Sequence, residues 1–260
     1  MNLQDFFIRN PRIAVAFSGG VDSSYLLYAA KAAGCDVRAY FMRSQFQPEF
    51  ELQDATRLAH SLGVPLTIET LDILCVPKIA QNPRDRCYFC KTAILSKLWE
   101  LAHADGITVL CDGSNADDDE TNRPGMRALR EQGVVSPLRD CGLTKADVRR
   151  LSKQAGLFTH DKPSYACLAT RIPTGAAITQ DILIKIERAE KALFDMGFTD
   201  FRVRVIKQGD GSAASVPDKQ YAARIQMPEN QWNRAASHRT EILAALQPYF
   251  ADVMLDLNTR

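Results

Sequence analysis

Two sets of residues in this chain have types and spacing suited to chemistry. The stretch "AVAFSGGVDSSYLLYAA", residues 14–30, runs from apolar residues through two glycines, an aspartate and two serines into a helical pattern. Such a turn collects backbone N–H groups at the positive end of a helix dipole, so it predicts a phosphate-binding site. The second set is cysteine, because Cys87 and Cys90 form a C-x-x-C pair and Cys167 lies in "DKPSYACLATRIPTG".

The glycine turn, residues 18–24, matches neither of two common phosphate loops. Walker A requires a lysine after its second glycine, whereas Val21 follows Gly20, and the turn is not G-x-G-x-x-G either. The order S-G-G-V-D-S resembles the pyrophosphate loop of the ATP pyrophosphatase (PP-loop) superfamily, whose enzymes adenylate a substrate oxygen and expel pyrophosphate. In that role the glycines let the backbone approach the phosphates, the serines supply hydroxyls and Asp22 positions Mg²⁺. The predicted ATP-binding residues are Ser18, Gly19, Gly20, Val21, Asp22, Ser23 and Ser24. The alternative is a plain strand-to-helix turn capped by Asp22 or Ser23.

The C-x-x-C pair alone leaves three kinds of site open: half of a zinc site, a redox pair, or two ligands of an iron–sulfur cluster. A closed zinc site needs four ligands in recognisable pairs, but the sequence has no second pair. The histidines are scattered, at His60, His103, His160 and His238. Three cysteines around a 4Fe–4S cluster leave one iron open to a substrate or an extra sulfide. The other cysteines, most of which are expected to be buried structural thiols, are Cys35, Cys75, Cys111 and Cys141.

Length and composition limit the class of protein. A chain of 260 residues that is 46% apolar can form a large core, as one large domain or a main domain with a smaller one. Residues 1–167 carry 20 basic and 20 acidic residues, and residues 168–260 carry 12 and 11. This balance weakens the case for a large nucleic-acid footprint. Since no signal peptide and no run of 18 apolar residues is present, we expect a cytoplasmic protein whose seven cysteines are reduced.

The elements that must position these residues alternate between strands and helices. Apolar, β-branched runs predict strands at residues 12–17, 35–42, 64–73 and 107–113. Amphipathic runs predict helices at residues 23–34, 48–63, 90–106 and 144–156, with Thr144 and Asp147 forming a capping box on the last. This alternation predicts an α/β fold with a doubly wound, mostly parallel sheet covered on both faces.

The pattern changes after about residue 172. It predicts a helix at residues 178–197, strands at 201–206 and 221–227, a helix at 229–246 and a strand at 251–257. We interpret this α-β-β-α-β order as a smaller C-terminal α+β domain, joined through "ATRIPTGAA". The predicted domains are therefore residues 1–170, which bind ATP, and residues 171–260, which complete the substrate site.

Several longer stretches together resemble the LarE family of the PP-loop superfamily. They are "FSGGVDSS", "RCYFCK", "CDGSNADD", "SPLRDCGLTKADVRRLSKQAGL", "KPSYACLATRIPTG" and "FRVR", and they cover nearly the whole chain. The family transfers sulfur during synthesis of the nickel-pincer nucleotide cofactor of lactate racemase. The resemblance implies that ATP adenylates a carboxylate of a pyridinium dicarboxylate mononucleotide, which becomes a thiocarboxylate with loss of AMP.

The resemblance also implies two possible roles for the cysteines. In some members a cysteine at the position of Cys167 gives up its own sulfur, and in others it holds a 4Fe–4S cluster with a C-x-x-C pair. This chain has Cys87 and Cys90 as well, so the cluster-dependent form is favoured. The implied cofactors are ATP, Mg²⁺ and a 4Fe–4S cluster. The implied partners are a small nucleotide substrate, a sulfide or other sulfur donor and further copies of the chain, with no membrane or nucleic acid.

Other polar residues are weaker candidates. Asp117 or Asp118, after the fourth strand, can serve the metal or nucleotide, although a solvated acidic loop fits equally well. Lys91 follows the C-x-x-C pair and can meet a phosphate or carboxylate; the alternative is an exposed lysine of a first helical turn.

The C-terminal strands carry arginines suited to a phosphate. A period of two places Arg202 and Arg204 on one face of their strand, opposite Phe201 and two valines. Together with Arg224 on the neighbouring strand they form a fork suited to a nucleotide phosphate, and the resemblance assigns substrate-phosphate recognition to this strand. Glu190, on the preceding helix, can pair with those arginines or act near the substrate. The alternative is a solvated sheet face.

Three other functions remain open from the sequence. Some tRNA thiolation enzymes combine a PP-loop with cysteine-bound iron–sulfur clusters, although the balanced charge argues against one here. A PP-loop amide-forming ligase of the GMP-synthetase or NAD-synthetase kind would leave the three cysteines incidental. A nucleotide-binding regulatory module would bind ATP without turnover.

Overall fold

A computed structural model describes residues 2–118, 124–207 and 221–258. The chain divides into two compact units. The first unit comprises Met1–Ile79 and Pro83–Lys162, and the second comprises Ala80–Asn82 and Pro163–Arg260. The short piece at Asn82 joins the second unit through its side-chain amide, which donates to the carbonyl of Pro173 at 2.9 Å. It stays a prediction that residues 1–170 form a domain that binds ATP and that residues 171–260 form a domain that completes the substrate site.

The first unit contains a parallel four-stranded sheet in the order β3-β2-β1-β4. Its strands are Arg12–Ala16 (β1), Asp36–Arg43 (β2), Leu66–Thr70 (β3) and Leu110–Cys111 (β4). In the centre of the sheet, Val15 of β1 lies opposite Ala39 of β2 and Cys111 of β4. The predicted parallel α/β sheet is therefore confirmed.

Helices surround this sheet. Those that begin before residue 163 are Leu3–Arg9 (α1), Val21–Ala32 (α2), Glu49–Leu62 (α3), Pro77–Ala80 (α4), Arg86–Ala104 (α5), Pro124–Glu131 (α6), Pro137–Asp140 (α7) and Lys145–Gln154 (α8). The predicted capping box of α8 is present, since Thr144 accepts from the Asp147 backbone and the Asp147 side chain accepts from Thr144.

Apolar clusters lie on both faces of the sheet because side chains alternate along each strand. Val15 and Phe41 belong to one cluster, with side chains from α2 and α3. Ala14 and Tyr40 belong to the other, with side chains from α5 such as Leu95. Covering helices on both faces confirm the doubly wound arrangement and explain why the strands read as continuous apolar runs.

Two local predictions for the first unit differ from the structure. The sequence patterns did not reveal α1, which is only seven residues long and begins at a capping box between Asn2 and Asp5. A helix was expected at residues 90–106, but α5 begins four residues earlier, at Arg86, and includes both Cys87 and Cys90. Since no glycine or proline follows Pro83 before the end of α5, nothing interrupts the helix there.

The second unit has a three-stranded sheet in the order β5-β6-β7. Its strands are Arg202–Lys207 (β5), Tyr221–Gln226 (β6) and Val253–Leu255 (β7), and its helices are Gln180–Asp195 (α9), Trp232–Ser237 (α10) and Arg239–Leu246 (α11). β5 and β6 are antiparallel, while β6 and β7 are parallel. This confirms the predicted second, smaller sheet.

One predicted helix is broken in the structure. Residues 229–246 were expected to form a single helix, but His238 separates α10 from α11 with φ −97° and ψ 18°. The Ser237 hydroxyl donates to the carbonyl of Arg234 at 2.8 Å, so a side chain competes for a backbone acceptor where the helix ends. Within the described ranges, no helix is both long and apolar enough to cross a membrane.

Candidate functional site

The glycine turn joins β1 to α2. Gly19 has φ +71°, and a Cβ there would lie 3.0 Å from the Glu51 carbonyl oxygen and 3.2 Å from the Ala55 Cβ. Both the backbone conformation and the close approach of α3 therefore require glycine. Gly20 occupies the N-cap position of α2 without a side-chain cap. The first backbone N–H groups of α2 consequently depend on water or a ligand, which is the arrangement that binds phosphate.

The serines of the glycine turn divide into two groups. The Ser18 and Ser23 hydroxyls lie 3.1 Å apart, Ser18 Oγ accepts from the Gly20 N–H at 3.3 Å, and Ser23 Oγ donates to the Gly20 carbonyl at 3.3 Å. These bonds brace the turn. Ser24 is fully buried, and its hydroxyl has no hydrogen-bond partner in the described part of the chain. Val21 is also buried and packs in the core.

Asp22 lies beside the loop that follows β4. Its Oδ1 accepts from the Asn115 side-chain amide at 3.2 Å, and its Oδ2 forms an ion pair with Lys145. The backbone N–H of Lys145 donates to Asp117 Oδ2 at 2.8 Å. Lys145 therefore contacts both aspartates that the sequence suggested for Mg²⁺. Asp118 instead accepts from the Asn115 backbone N–H at 3.0 Å. Asn115 and Lys145 were not identified from the sequence.

A buried hydrogen-bond network orders this loop, which lies close to the start of α2. Asp112 accepts from the hydroxyls of Ser114 at 2.5 Å and Ser136 at 2.6 Å. A Cβ added to Gly113 would lie 2.7 Å from the backbone nitrogen of Ser23. The absence of a side chain at Gly113 therefore lets the loop reach the N-terminal end of α2.

Lys162 anchors the glycine turn from a distant part of the sequence. Its ammonium donates to the Gly19 carbonyl at 3.3 Å and to Asp54 at 2.6 Å, and it lies 5.3 Å from the centroid of the Phe50 ring. Arg149 donates to the Lys162 carbonyl at 2.8 Å and so fixes its backbone. Lys162 begins the stretch "KPSYACLATRIPTG", but it was not singled out, because nothing local shows that its ammonium reaches a turn 143 residues earlier.

The cysteine candidates belong to different units. Cys87 and Cys90 lie one helical turn apart at the start of α5, on the same face, and Cys87 is exposed. The Arg86 guanidinium donates to the Cys87 sulfur at 3.5 Å. Cys167 belongs to the second unit, where it precedes the 3₁₀ helix Leu168–Arg171 and is half-buried. Within either unit, no described group of three His, Cys, Asp or Glu side chains is arranged to hold a metal ion.

The other cysteines are mixed in exposure. All seven lie in the described ranges, and none is in a disulfide. Cys35 and Cys111 are buried, as expected, and burial raises the pKa of both thiols, that of Cys35 to about 11. Cys75, in contrast, is exposed and Cys141 is half-buried. Buried thiols with raised pKa values stay protonated and unreactive at neutral pH.

Lys91 follows the C-x-x-C pair and lies against α6. A Cβ added to Gly125 would meet the Lys91 Cδ at 3.1 Å. The aliphatic stem of the lysine therefore packs on the backbone of α6, where a larger residue would displace it.

The predicted arginines share one face of the second sheet but differ in environment. Arg204 lies directly opposite Arg224 in the β5–β6 register and is half-buried. Its Nη1 donates to the Thr170 carbonyl at 2.8 Å, and its Nε donates to Gln226. Arg224 pairs with Asp256 at 3.3 Å. Arg204 therefore contacts Thr170, which follows Cys167 by three residues in the sequence.

Arg202 is only 4% exposed, and carbonyl groups bind its guanidinium. It donates to the carbonyls of Phe201 at 2.6 Å and of Ser164. Glu190 was expected to pair with the strand arginines or to act near the substrate, but the arginine that it pairs with is Arg171, at 2.9 Å. Arg171 was not identified from the sequence, where it lies in a Pro/Gly/Ala-rich connector that predicted no buried charge.

A family model matches one region of this chain, and two known proteins match most of its length. The tRNA methyl transferase HUP domain family matches residues 11–73, which include the glycine turn and β1 to β3. The pyridinium-3,5-bisthiocarboxylic acid mononucleotide synthase of Lactiplantibacillus plantarum is 35% identical over 195 residues, 74% of this chain and 71% of that protein. An uncharacterized protein of Synechocystis sp. is 35% identical over 231 residues, 88% of this chain and 81% of that protein.

A tRNA-modifying enzyme shares a shorter region. The tRNA-specific 2-thiouridylase of Pseudothermotoga lettingae is 30% identical over a region that is 58% of this chain and 54% of that enzyme. The similarity to the mononucleotide synthase therefore covers more of both chains than the similarity to the thiouridylase.

Proposed function

We propose that this chain, which belongs to the LarE family of PP-loop, ATP-using sulfur transferases, adenylates a carboxylate of a pyridinium dicarboxylate mononucleotide and replaces the adenylate by sulfur. The observation that carries the proposal is the combination, in one chain, of the uncapped glycine turn with Cys167 and the C-x-x-C pair. The mononucleotide synthase of Lactiplantibacillus plantarum, at 35% identity over 71% of that protein, supports the class of acceptor.

The adenylation step depends on the first unit. The N–H groups at the start of α2 bind the β- and γ-phosphates of ATP, and the braced Ser18 and Ser23 keep the turn open toward them. The α-phosphate is then open to a carboxylate oxygen of the acceptor. That oxygen forms a bond to the α-phosphorus, the bond to the β-phosphate bridge breaks, and pyrophosphate leaves.

Asp22 and Asp117 would hold a Mg²⁺ ion that neutralises the departing pyrophosphate. Their carboxylate oxygens are the hard ligands that Mg²⁺ prefers, and both contact Lys145. The ammonium of Lys145 balances the charge of Asp22, and with Mg²⁺ bound at that carboxylate the ammonium would be available to the phosphates.

The sulfur step replaces AMP by sulfide at the activated carbon. A carbon–sulfur bond forms, the bond from the carbonyl carbon to the AMP oxygen breaks, and AMP leaves with the electron pair. Cys87, Cys90 and Cys167 would hold a 4Fe–4S cluster, which when bound supplies an iron open to a sulfur donor. The helical spacing of the first two thiols fits two ligands of one cluster, because residues three apart share a helix face.

The second unit supplies recognition of the acceptor. Arg204 and Arg224, directly opposite each other on β5 and β6, present positive charge to the phosphate of the mononucleotide. Lys91 adds a further cation in the first unit. Arg202 contributes by holding the Ser164 carbonyl, which lies three residues before Cys167. A homo-oligomeric state and a cytoplasmic location stay predictions from the sequence.

The test is a product analysis of anaerobically purified enzyme with ATP, Mg²⁺, the pyridinium dicarboxylate mononucleotide and sulfide. We expect AMP, pyrophosphate and the thiocarboxylate; ADP with orthophosphate would contradict the adenylation chemistry. Unmodified tRNA replaces the mononucleotide in a parallel reaction, and thiolated tRNA in that reaction alone would instead favour the tRNA-modifying function.

The fate of Cys167 separates the two sources of sulfur. After turnover we expect the mass of the intact protein to be unchanged, which means that Cys167 is still a cysteine, and we expect more than one product molecule per chain. We also expect each of the variants Cys87→Ala, Cys90→Ala and Cys167→Ala to lose the visible absorption of the cluster. Loss of one H₂S from Cys167, with Cys87→Ala still active, would show that the protein gives up its own sulfur. The adenylation chemistry would stand in that case.

A further inference from the structure

One buried arginine holds the backbone around Cys167. The Arg171 side chain is 0% exposed, and its Nη1 donates to the Ala166 carbonyl at 2.6 Å. The same nitrogen lies 3.3 Å from the Cys167 carbonyl oxygen and donates to the Thr170 hydroxyl at 2.8 Å. The guanidinium therefore binds acceptors on both sides of the cysteine.

Glu190 fixes the orientation of this guanidinium. Arg171 Nε donates to Glu190 Oε1 at 2.9 Å and Nη2 donates to Oε2 at 3.0 Å, so the pair is bidentate. The carboxylate also accepts from the Val203 N–H at 2.8 Å and from the Tyr165 hydroxyl. Glu190 thus ties α9, β5 and the Cys167 segment to one arginine. Burial by itself would lower the pKa of Arg171. The hydrogen bonds and the charge of Glu190 outweigh this effect, so the pKa is raised overall and the side chain stays charged.

Tyr165 lies against two guanidinium groups. The Cζ atoms of Arg171 and Arg202 are 4.5 and 4.9 Å from the centroid of its ring. Arg202 in turn donates to the Ser164 carbonyl. Contacts to charged groups therefore hold each of the four residues from Ser164 to Cys167.

Stability alone does not explain the buried ion pair between Arg171 and Glu190. Removing two charges from water is costly, and apolar side chains of similar volume are often at least as stable in such places. What apolar side chains cannot do is donate hydrogen bonds to the carbonyls of Ala166 and Cys167. The distinctive contribution of this pair is therefore the backbone that it orients.

We propose that Arg171, oriented by Glu190, is a positioning residue for Cys167. It fixes the backbone from which the thiol projects, and so sets the direction in which the sulfur is presented. The claim that this direction matters for sulfur transfer rests on the proposed function. The claim that Arg171 fixes the backbone around Cys167 does not, because it rests on the hydrogen bonds of Arg171.

Two variants test whether Arg171 fixes the backbone around Cys167, and neither leaves a buried charge unpaired. Arg171→Lys keeps a cation for Glu190 but lacks the planar fork that reaches the carbonyls. The double variant Arg171→Met with Glu190→Gln removes both charges and keeps an acceptor for the Val203 N–H. The matched control is Lys191→Met, which removes an exposed ion pair with Asp195 from the same helix.

Hydrogen–deuterium exchange of the full chain measures the result. The reporter is the peptide of residues 164–172, in which the Thr170 N–H donates to the Cys167 carbonyl at 3.0 Å. The internal reference is residues 21–32. We expect exchange in the reporter to accelerate about tenfold in both Arg171 variants, with no change in the reference or in Lys191→Met.

Two results would overturn the proposal. One is wild-type exchange in the reporter of both variants. The other is equal acceleration throughout α9, β5 and the reporter, which would show that the pair only stabilises the second unit.

A second measurement connects the hold to chemistry. In both variants we expect thiocarboxylate formation to fall more steeply than pyrophosphate release, because the turn proposed to bind ATP lies in the first unit and the thiol of Cys167 acts only after adenylation. If thiocarboxylate formation and pyrophosphate release fall by the same factor, the positioning role is wrong. If wild-type enzyme makes no thiocarboxylate, the proposed function fails, while the exchange experiment still decides whether Arg171 holds the segment.

Discussion

The ammonium of Lys162 donates to the carbonyl oxygen of Gly19 at 3.3 Å, although 143 residues separate them in the sequence. Its side chain is only 15% exposed and also pairs with Asp54 of α3. The glycine turn is therefore held from outside the strand and helix that it connects. The turn contains no lysine of its own, and this remote lysine fixes its backbone rather than extending from it.

Loss of this anchor should weaken ATP binding. We expect Lys162→Met to raise the Kd for Mg-ATP about tenfold, in line with the loss of one hydrogen bond from a charged donor. Isothermal titration calorimetry measures the change. The control is Lys153→Met, which replaces an exposed lysine of α8. Equal affinity in the two variants would show that Lys162 does not shape the turn.

Gly19→Ala should affect both stability and ATP binding. The substitution places a side chain at φ +71° and within 3.0 Å of the Glu51 carbonyl oxygen. The control is Gly34→Ala, which has φ +78° but nothing within 4 Å of its Cβ. We expect both to lose about 1–2 kcal/mol of stability from the left-handed backbone, and only Gly19→Ala to lose ATP affinity. The measurements are urea unfolding and calorimetry, and unchanged ATP affinity in Gly19→Ala would contradict the role of the close contact.

Arg204→Gln should weaken acceptor binding and leave ATP binding unchanged. The guanidinium lies opposite Arg224 in the β5–β6 register, and the loss of a charge-assisted hydrogen bond costs about 1.5–3 kcal/mol. Equilibrium binding of the pyridinium dicarboxylate mononucleotide measures the effect, with Arg239→Gln as an exposed control in α11. An equal loss of affinity for both nucleotides would place Arg204 outside the acceptor site.

The unfolding free energy should fall as pH rises above about 9. Burial, with a smaller effect of the Asp36 charge, raises the pKa of the Cys35 thiol from 9.0 to about 11. The folded state therefore favours the protonated thiol, and its contribution is complete below pH 9 and lost by pH 11. The loss from Cys35 is about 2 kcal/mol.

Tyr40 contributes in the same direction, since burial and its hydrogen bond to Asp105 raise its pKa. We therefore expect Cys35→Ala to show a shallower decline between pH 9 and 11 than wild type, because the Tyr40 contribution remains. Urea titrations at intervals of pH measure the two slopes. Equal slopes would mean that the Cys35 thiol ionises as easily in the folded chain as in the unfolded one.

The sequence by itself determined the features that depend on neighbouring residues. The apolar run of β1, the two glycines and the helical pattern of α2 predicted a strand, a phosphate-binding turn and a helix, because each follows from local backbone preferences. The capping box of Thr144 and Asp147 was predictable for the same reason, since its two partners lie three residues apart. The alternating strands and helices likewise determined the doubly wound class.

Only the tertiary structure decided which distant side chains meet. Asp22 meets Asn115 and Lys145, more than 90 residues away, and no local pattern shows that either of them contacts Asp22. Arg202 and Arg204 lie on the same face of β5, yet Arg202 is buried and binds the Ser164 carbonyl, whereas Arg204 is half-buried and binds the Thr170 carbonyl. Periodicity determines the face of a strand on which a side chain lies, whereas the burial and partners of that side chain depend on segments that folding brings to it.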